Sequence, residues 1–372
     1  MEMKKLNFAI IGCGRISYKH VEALYNNREE AVLKAVCDVI LKKAESKRDE
    51  YLEKMGEDKK VSTYTDYKDM IDNEDLDVVT VATESGYHAK IAIYAMEHGI
   101  NVIVEKPMAM SIDDANKMIE VAEKNHVKLS ICHQNRFNKP VVKLREAIEN
   151  NKFGKLVNGE ARILWNRNMD YYNQAPWRGT WKLDGGTLMN QCIHNIDLLQ
   201  WMMGGEIDKV YAECDTFLRD IEAEDFGTIL IRFKNGAIGI VEGSACVYPK
   251  NLEETLSVFG EKGAVSIGGL AVNQLETWRF EGDDEEKVKG EVNTKIDNVY
   301  GKGHTPLFKN VIDAINNDTE PLVSGKEGIK AMSIILAAYK SRKTGLPVKF
   351  PFTNFKTTDM EDTFEGRKKY RK

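Results

Sequence analysis

The stretch Leu6-Asn7-Phe8-Ala9-Ile10-Ile11-Gly12-Cys13-Gly14-Arg15-Ile16-Ser17 decides the fold. An apolar run of strand character stops at a glycine, and a helical pattern opens directly behind it. In that context a Gly-x-Gly turn can cradle a dinucleotide. Gly12 permits the tight turn, and Gly14 lets the backbone approach a pyrophosphate at the helix amino terminus, with Arg15 and Ile16 beside it. Ser17 stands where a third Gly or Ala is usual and is still small. The same glycines also suit a purely structural strand-to-helix turn.

Working outward, Leu6 to Ile11, Leu33 to Asp38, Asp77 to Ala82, Asn101 to Glu105 and Lys128 to His133 read as buried strands alternating with helical patterns. That alternation predicts an α/β Rossmann domain, a doubly wound parallel sheet over residues 1–137. Asp38 ends the second strand, where a carboxylate takes ribose hydroxyls and repels a 2′-phosphate, so NAD is favoured over NADP. Asp38 could equally cap the next helix. Thr83, Ser85 and His88 follow the strand ending at Ala82, and Glu105-Lys106-Pro107 follows Asn101 to Val104, so both segments lie at the carboxyl edge of the sheet, where such folds bind ligands. For Ser85 a helix cap and for His88 a surface position are the competing readings. A lysine in a dry site there is suited to proton transfer.

After Pro140 a helix leads into strand-like runs at 206–217, 225–234, 237–247 and 252–259, with a hairpin turn at Lys234-Asn235-Gly236. The expected second domain, 138–372, is α+β with a large, mostly antiparallel open sheet; a helix runs from Cys192 to Met203, and late helices near 307–316 and 326–343 pack back on the body. Asn190, His194 and Asp197 are spaced to share one helix face, and His194 is a natural base for a hydroxyl proton. Arg162, Arg167, Tyr172 and Arg178 fall in an Arg- and aromatic-rich stretch that can grip an anionic, ring-containing ligand or form a subunit interface. Glu281 to Lys289 reads as a solvated excursion, and Gly366 to Lys372 as a basic tail.

The chain of 372 residues carries a formal charge of −5, which gives no electrostatic reason to bind nucleic acid. Six scattered cysteines show no paired spacing and fit reduced thiols in a cytoplasm. No apolar run is long enough to cross a bilayer or to form a signal-peptide core, and no metal-ligand spacing is present. A small-molecule partner is expected.

The glycine motif with His20, Glu105-Lys106-Pro107, and the Gly185-Gly186 to His194-Asn195-Ile196-Asp197 segment together resemble the glucose-fructose oxidoreductase, inositol dehydrogenase and rhizopine catabolism (Gfo/Idh/MocA) family over nearly the whole chain. The resemblance implies NAD as cofactor, a homodimer or homotetramer built on the open sheet, and Lys106 and His194 meeting at the nicotinamide. Trp165-Asn166-Arg167, Tyr171-Tyr172, Trp177 to Trp181, Asp184-Gly185-Gly186 and Met189-Asn190-Gln191 are similar to the branch that oxidises UDP-N-acetylglucosaminuronic acid at its 3-hydroxyl for surface polysaccharides. It implies a nucleotide-sugar substrate, with His194 taking the proton, Lys106 stabilising the alkoxide and Asn190 orienting the sugar. Arg162, Arg167, Tyr172 and Arg178 would contact its carboxylate or diphosphate. Asn190 stands where many members carry Asp, so Asp197 or Asp184 would replace that charge. A dehydrogenase of a free sugar, inositol or polyol, and a non-catalytic NAD-binding regulator, are the alternatives.

Overall fold

A computed structural model of the chain describes residues 5–56, 60–296 and 298–364, so the basic tail 366–372 lies outside the described residues. Two compact units are formed, the first from 1–109, 113–134 and 304–329, the second from 110–112, 135–303 and 330–372.

In the first unit, β1 (Leu6–Ile11) is buried at every position. It lies inside a six-stranded sheet ordered β3-β2-β1-β4-β5-β6, with β2 (Ala31–Cys37), β3 (Ser62–Tyr64), β4 (Val78–Val81), β5 (Asn101–Val104) and β6 (Leu129–Ile131). Every pairing is parallel. The order reverses between β1 and β4, which opens a crevice beyond their carboxyl ends. Strand β3 was not expected. It is three residues long and only half-buried, too short for an alternating pattern to register.

The connections are helical: α1 (Ser17–Asn26), α2 (Leu41–Met55), α3 (Tyr67–Asn73), α4 (His88–Glu97) and α5 (Ile112–Lys124). Asp66 starts α3 by accepting from the Lys68 amide, and Gly99, at φ +77°, turns the chain after α4. Asp113 and Asp114 lie in the first turn of α5, at the positive end of its dipole.

The second unit contains α6 (Lys139–Glu149), β7 (Leu156–Leu164), the short helices α7 (Met169–Tyr172) and α8 (Thr187–Asn190), and α9 (Ile193–Met202). There follow β8 (Ile207–Asp215), β9 (Phe226–Phe233), β10 (Ile238–Ser244), β11 (Glu253–Gly260), β12 (Gly263–Gly268) and β13 (Gln274–Phe280), then α10 (Glu285–Val292). With β14 (Val348–Lys349) these strands make one eight-stranded sheet, antiparallel except where β7 meets β10. Gly236, at φ +89°, turns β9 into β10 at the expected hairpin. The charged stretch 281–289 holds no buried residue and runs into a helix, where Asp284 caps α10 through the Lys287 amide.

One face of this sheet packs on α8 and α9, and small residues let it do so. A Cβ at Gly159 would come within 2.7 Å of the Leu199 side chain, and one at Gly243 within 2.6 Å of the Cys192 sulfur. The expected single helix face for Asn190, His194 and Asp197 is not formed. The Cys192 amide reaches back five residues to the Thr187 carbonyl at 2.9 Å, so the chain gains a residue between α8 and α9 and the second helix starts in a new phase.

The remaining helices are α11 (His304–Asn316) and α12 (Gly325–Thr344). The first belongs to the β1–β6 unit, where Phe308 stacks on Phe8 at 6.1 Å and the Thr305 carbonyl accepts from Asn27. Residues 304–329 therefore belong to the first unit, with a late helix packed there, while the chain from 330 onward belongs to the second.

Asp197 does not face a ligand. Both of its oxygens accept from Arg136, each at 2.7 Å, with neither side chain exposed. Breaking such a buried pair costs about 3–5 kcal/mol, because a desolvated charge loses its partner. Asp197→Ala is therefore expected to lower the urea unfolding midpoint sharply, and an unchanged midpoint would remove this pair from the core's supports.

Candidate active site

The turn after β1 is built against β4. Gly12 has φ +95°, and a Cβ there would stand 2.6 Å from the Ala82 main chain, so no other residue fits without moving the strand. Gly14 differs. No chain atom lies within 4 Å of the place a Cβ would take, and the residue is exposed, as is Arg15. Nothing in the protein demands a glycine there, whereas a pyrophosphate brought against the backbone does. The first turn of α1 holds no acidic residue that would repel one.

Asp38 lies just beyond β2 and accepts from the Cys13 amide at 2.9 Å and the Ile40 amide at 2.9 Å. It thus ties the glycine turn to the start of α2. Each carboxylate oxygen retains acceptor capacity suited to ribose hydroxyls. Exposed Val39 and Ile40 continue from it.

At the end of β5 the Glu105 carboxylate is buried and accepts from His20 Nε2 at 3.0 Å, His304 Nε2 at 3.3 Å and, more weakly, the Lys106 amide at 3.3 Å. Burial alone would push this carboxyl up. The two imidazole donors outweigh it and hold the group well below the usual carboxylate range. Lys106, partly buried, follows with a cis bond to Pro107. Glu105, expected at the ligand-binding edge of the sheet, anchors this turn through these bonds.

His88 is likewise not a ligand contact in this geometry. It is 1% exposed, its Nδ1 faces the Pro107 carbonyl at 2.8 Å, and its Nε2 faces the Thr83 carbonyl at 3.1 Å. Burial draws its pKa down, so the ring is neutral and donates to one of the two at a time. His88 ties the 83–88 segment to the Lys106 turn. Ser85 is buried at the start of the short turn Ser85–Tyr87, and Thr83 is partly buried beside it.

In the second unit the Arg- and aromatic-rich stretch folds into one connected network. The Tyr171 hydroxyl accepts from Arg178 at 2.6 Å and from Gln191 at 3.2 Å. The Arg178 guanidinium lies 4.4 Å from the Tyr171 ring centre, and Arg167 lies 4.4 Å from that of Trp165. Asn190 donates to Asp184, which also accepts from the Gly179 amide at 2.7 Å. Asp184, and not Asp197, is therefore the carboxylate joined to Asn190. His194 stands in the first turn of α9, partly buried.

Two expected substrate contacts fall elsewhere. Arg162 pairs with Glu242 at 3.0 Å and Glu253 at 3.2 Å on the sheet face away from α9, because Gly159, Ala161 and Ile163 take the buried face of β7. Tyr172 is only 5% exposed and packs edge-on against Tyr171, so its ring is core. Tyr171 and Gln191, quoted in the sequence only within the Tyr171-Tyr172 and Met189-Asn190-Gln191 runs and not singled out, are the residues that join this network to Arg178.

Neutral carboxyls lie beneath this network. Burial pushes Glu224 up to about 8 although the Leu188 amide and the Tyr339 hydroxyl donate to it, and a Cβ at Gly186 would fall on its carboxylate. Burial also pushes Glu254, on the core face of β11, up to about 8. Burial raises the Cys13, Cys37 and Cys246 thiols to about 12, so none is a ready nucleophile.

Comparison with known proteins agrees with this architecture. Residues 6–133 match the oxidoreductase family NAD-binding Rossmann fold of GFO/IDH/MocA, and residues 141–266 match the GFO/IDH/MocA C-terminal domain. The WlbA dehydrogenase from Bordetella pertussis, solved with NADH and UDP-GlcNAcA, is 33% identical, with a TM-score of 0.87 over 95% of this chain and 99% of that one. The Chromobacterium violaceum WlbA complex with the same two ligands is 33% identical, with a TM-score of 0.85 over 95% and 98%. Myo-inositol 2-dehydrogenase of Thermotoga maritima is 27% identical over 92% of this chain and 98% of its own length. The chain belongs to the GFO/IDH/MocA family and is an NAD-dependent sugar oxidoreductase. The open backbone at Gly14 and the free acceptor capacity of Asp38 have the chemistry that such a cofactor needs.

Two measurements test this geometry. Gly14→Ala should leave thermal unfolding unchanged and weaken NADH binding about tenfold or more, whereas Gly12→Ala should lose folded protein; wild-type NADH affinity in Gly14→Ala would contradict the cradle. For Glu254 the folded value of about 8 lies above its ordinary 4.5, so its contribution is complete below pH 4.5 and is lost as pH rises towards 8. Glu254→Gln should therefore gain stability over wild type progressively between pH 5 and pH 8, as read from urea midpoints; a pH-independent offset would refute the sign.

Proposed function

We propose that this family member oxidises the 3-hydroxyl of a UDP-N-acetylglucosaminuronic acid type nucleotide sugar to the 3-keto sugar, as a step towards a surface polysaccharide or glycan precursor. The observation that carries the reading is the likeness over 95% of the chain to two dehydrogenases solved with UDP-GlcNAcA and NADH. The Arg167, Tyr171, Arg178 and Gln191 network supports it: two guanidinium groups braced on aromatic rings suit an anionic sugar nucleotide better than a neutral polyol.

When bound, NAD supplies the nicotinamide that accepts hydride from the sugar carbon. His194 takes the hydroxyl proton, and Lys106 stabilises the negative charge that develops on that oxygen. Asn190, steadied by Asp184, orients the sugar through its amide. Arg167 and Arg178 bind the uronate or diphosphate charge. A second reading, oxidation of a free inositol or related polyol, is favoured by the likeness to myo-inositol 2-dehydrogenase. A non-catalytic NAD-binding regulator would have no use for Lys106 together with His194.

The test supplies purified protein with NAD and UDP-N-acetylglucosaminuronic acid, plus a keto-acid acceptor to recycle tightly held NADH, and looks for the 3-keto product by mass spectrometry. Its absence sinks the substrate, and turnover of myo-inositol in its place selects the second reading. Lys106→Ala and His194→Ala should each lower kcat about 100-fold or more with NADH affinity retained; parallel loss of NADH binding would argue against chemical roles.

A further inference from the structure

Among the described residues one group of converging metal-type donors occurs: His20, Glu105, Cys132 and His304, all buried, with one donor atom from each lying within 4.8 Å of the others. A bound transition metal is the first chemistry to consider, and the ring nitrogens argue against it. A histidine that ligates through Nε2 carries its proton on Nδ1 and gives it to an acceptor. Here Nδ1 of both His20 and His304 is buried with no hydrogen-bond partner among the described residues. Two stranded N–H donors would be costly, whereas the opposite tautomer leaves Nδ1 as a bare acceptor and puts N–H on Nε2, where the Glu105 oxygen waits at 3.0 and 3.3 Å. The Cys132 thiol donates to the same carboxylate.

The product of this arrangement is a main chain fixed on both sides of Lys106. On one side the Glu105 side chain, held by donors from α1, α11 and the residue after β6, turns back to the Lys106 amide at 3.3 Å. On the other, the single ring N–H of His88 is placed to donate from Nδ1 to the Pro107 carbonyl, at 2.8 Å the shorter of its two carbonyl contacts. None of these groups is aimed at solvent, since Glu105, His20, His88 and His304 are at most 6% exposed. Three histidines so spent would be an expensive way merely to fill space, because each desolvated ring loses hydration that a Leu or Met would not need.

We infer that His20, His304 and His88 are positioning residues for Lys106: through Glu105 on one side and Pro107 on the other they fix the backbone from which the lysine reaches the reacting hydroxyl oxygen. The inference rests on the role proposed above for Lys106. Displacing a catalytic group by about 1 Å costs up to about 100-fold in rate, so relaxing the clamp should lower kcat while leaving the cofactor cradle at Gly12, Gly14 and Asp38 in place.

The experiment is a double-mutant cycle in the full-length protein, pairing His20→Ala or His304→Ala with Lys106→Ala, run on whichever sugar or polyol the wild type oxidises. Each single histidine variant should lose about 10- to 100-fold in kcat, with KM and NADH affinity changed less than about threefold. Each double variant should lose no more than Lys106→Ala alone, because a residue that acts through the lysine is silent without it. His20→Gln and His304→Gln, whose amide N–H can replace the Nε2 donor, should recover most of the loss. Where an Ala exchange prevents folding, His→Met keeps the volume without a donor and carries the same cycle. Additive losses, or NADH affinity falling in step with kcat, overturn the inference. So does stoichiometric zinc in the purified protein that the histidine variants lack.

A failure of the UDP-sugar assay does not disturb this test, since any oxidised substrate serves. If no substrate is found, ¹³C reductive methylation reports the Lys106 amine by NMR in the NADH complex. A Lys106 resonance and titration identical in wild type and His304→Ala overturns the clamp, and a shift restored by His304→Gln supports it.

Discussion

A carboxylate taken out of water must find donors, and Glu105 finds them on widely separated pieces of chain. His20 comes from the helix that follows the glycine turn, Cys132 follows the sixth strand, and His304 arrives from a helix about 200 residues later. Because the ionised group is stable only when all are in place, the site's geometry and the closure of the first unit depend on one another. This dependence accounts for the return of α11 to the β1–β6 unit. Phe308 stacks on Phe8 and meets the edge of His20, so apolar burial and the polar cluster use the same helix.

The second unit solves the same electrostatic problem in three other ways. Arg136 and Asp197 keep their charges and satisfy each other through two parallel bonds, a geometry in which guanidinium and carboxylate match. Among the described residues no ion pair joins Glu224 or Glu254 to a cation, and burial pushes both up so that they stay protonated near neutrality. Asp225 takes a third route, accepting from the amides of Phe217, Leu218 and Arg219 and so pinning the loop between β8 and β9. The Arg167 to Gln191 network is thereby mounted on a base with little freedom to rearrange, which preorganised binding of a charged ligand requires.

Much of the fold was legible because its signals are local. The glycine turn after β1, the alternation of strands and helices, the stop at Gly99 and the hairpin at Gly236 each depend on a few adjacent residues and their allowed backbone angles. Backbone placement was legible where a motif sets it, as at the turn through Gly12 and Gly14 and at the strand end before Lys106. It was less legible where side-chain direction matters. Arg162 looked like a ligand contact because its neighbours are polar and aromatic; yet Gly159, Ala161 and Ile163 alternate with it, and that parity assigns it to the other face of β7. The expected run from Asn190 to Asp197 failed for a similar reason, since one extra residue in a turn rotates everything after it by about 100°.

By itself, the sequence determined which chemistries were available and roughly where: a dinucleotide turn, a lysine at a strand end, a histidine and an amide near a helix start, and an arginine-rich aromatic stretch. These are properties of residue type and short spacing. Only the tertiary structure decided how those groups are employed. It joined Glu105 to His304, Asp197 to Arg136, and Asp184 to Asn190, and it turned His88 inward. The reason is that the cost of burying a charge or a ring nitrogen depends on what surrounds it in space, and those surroundings are assembled from parts of the chain whose separation carries no local pattern.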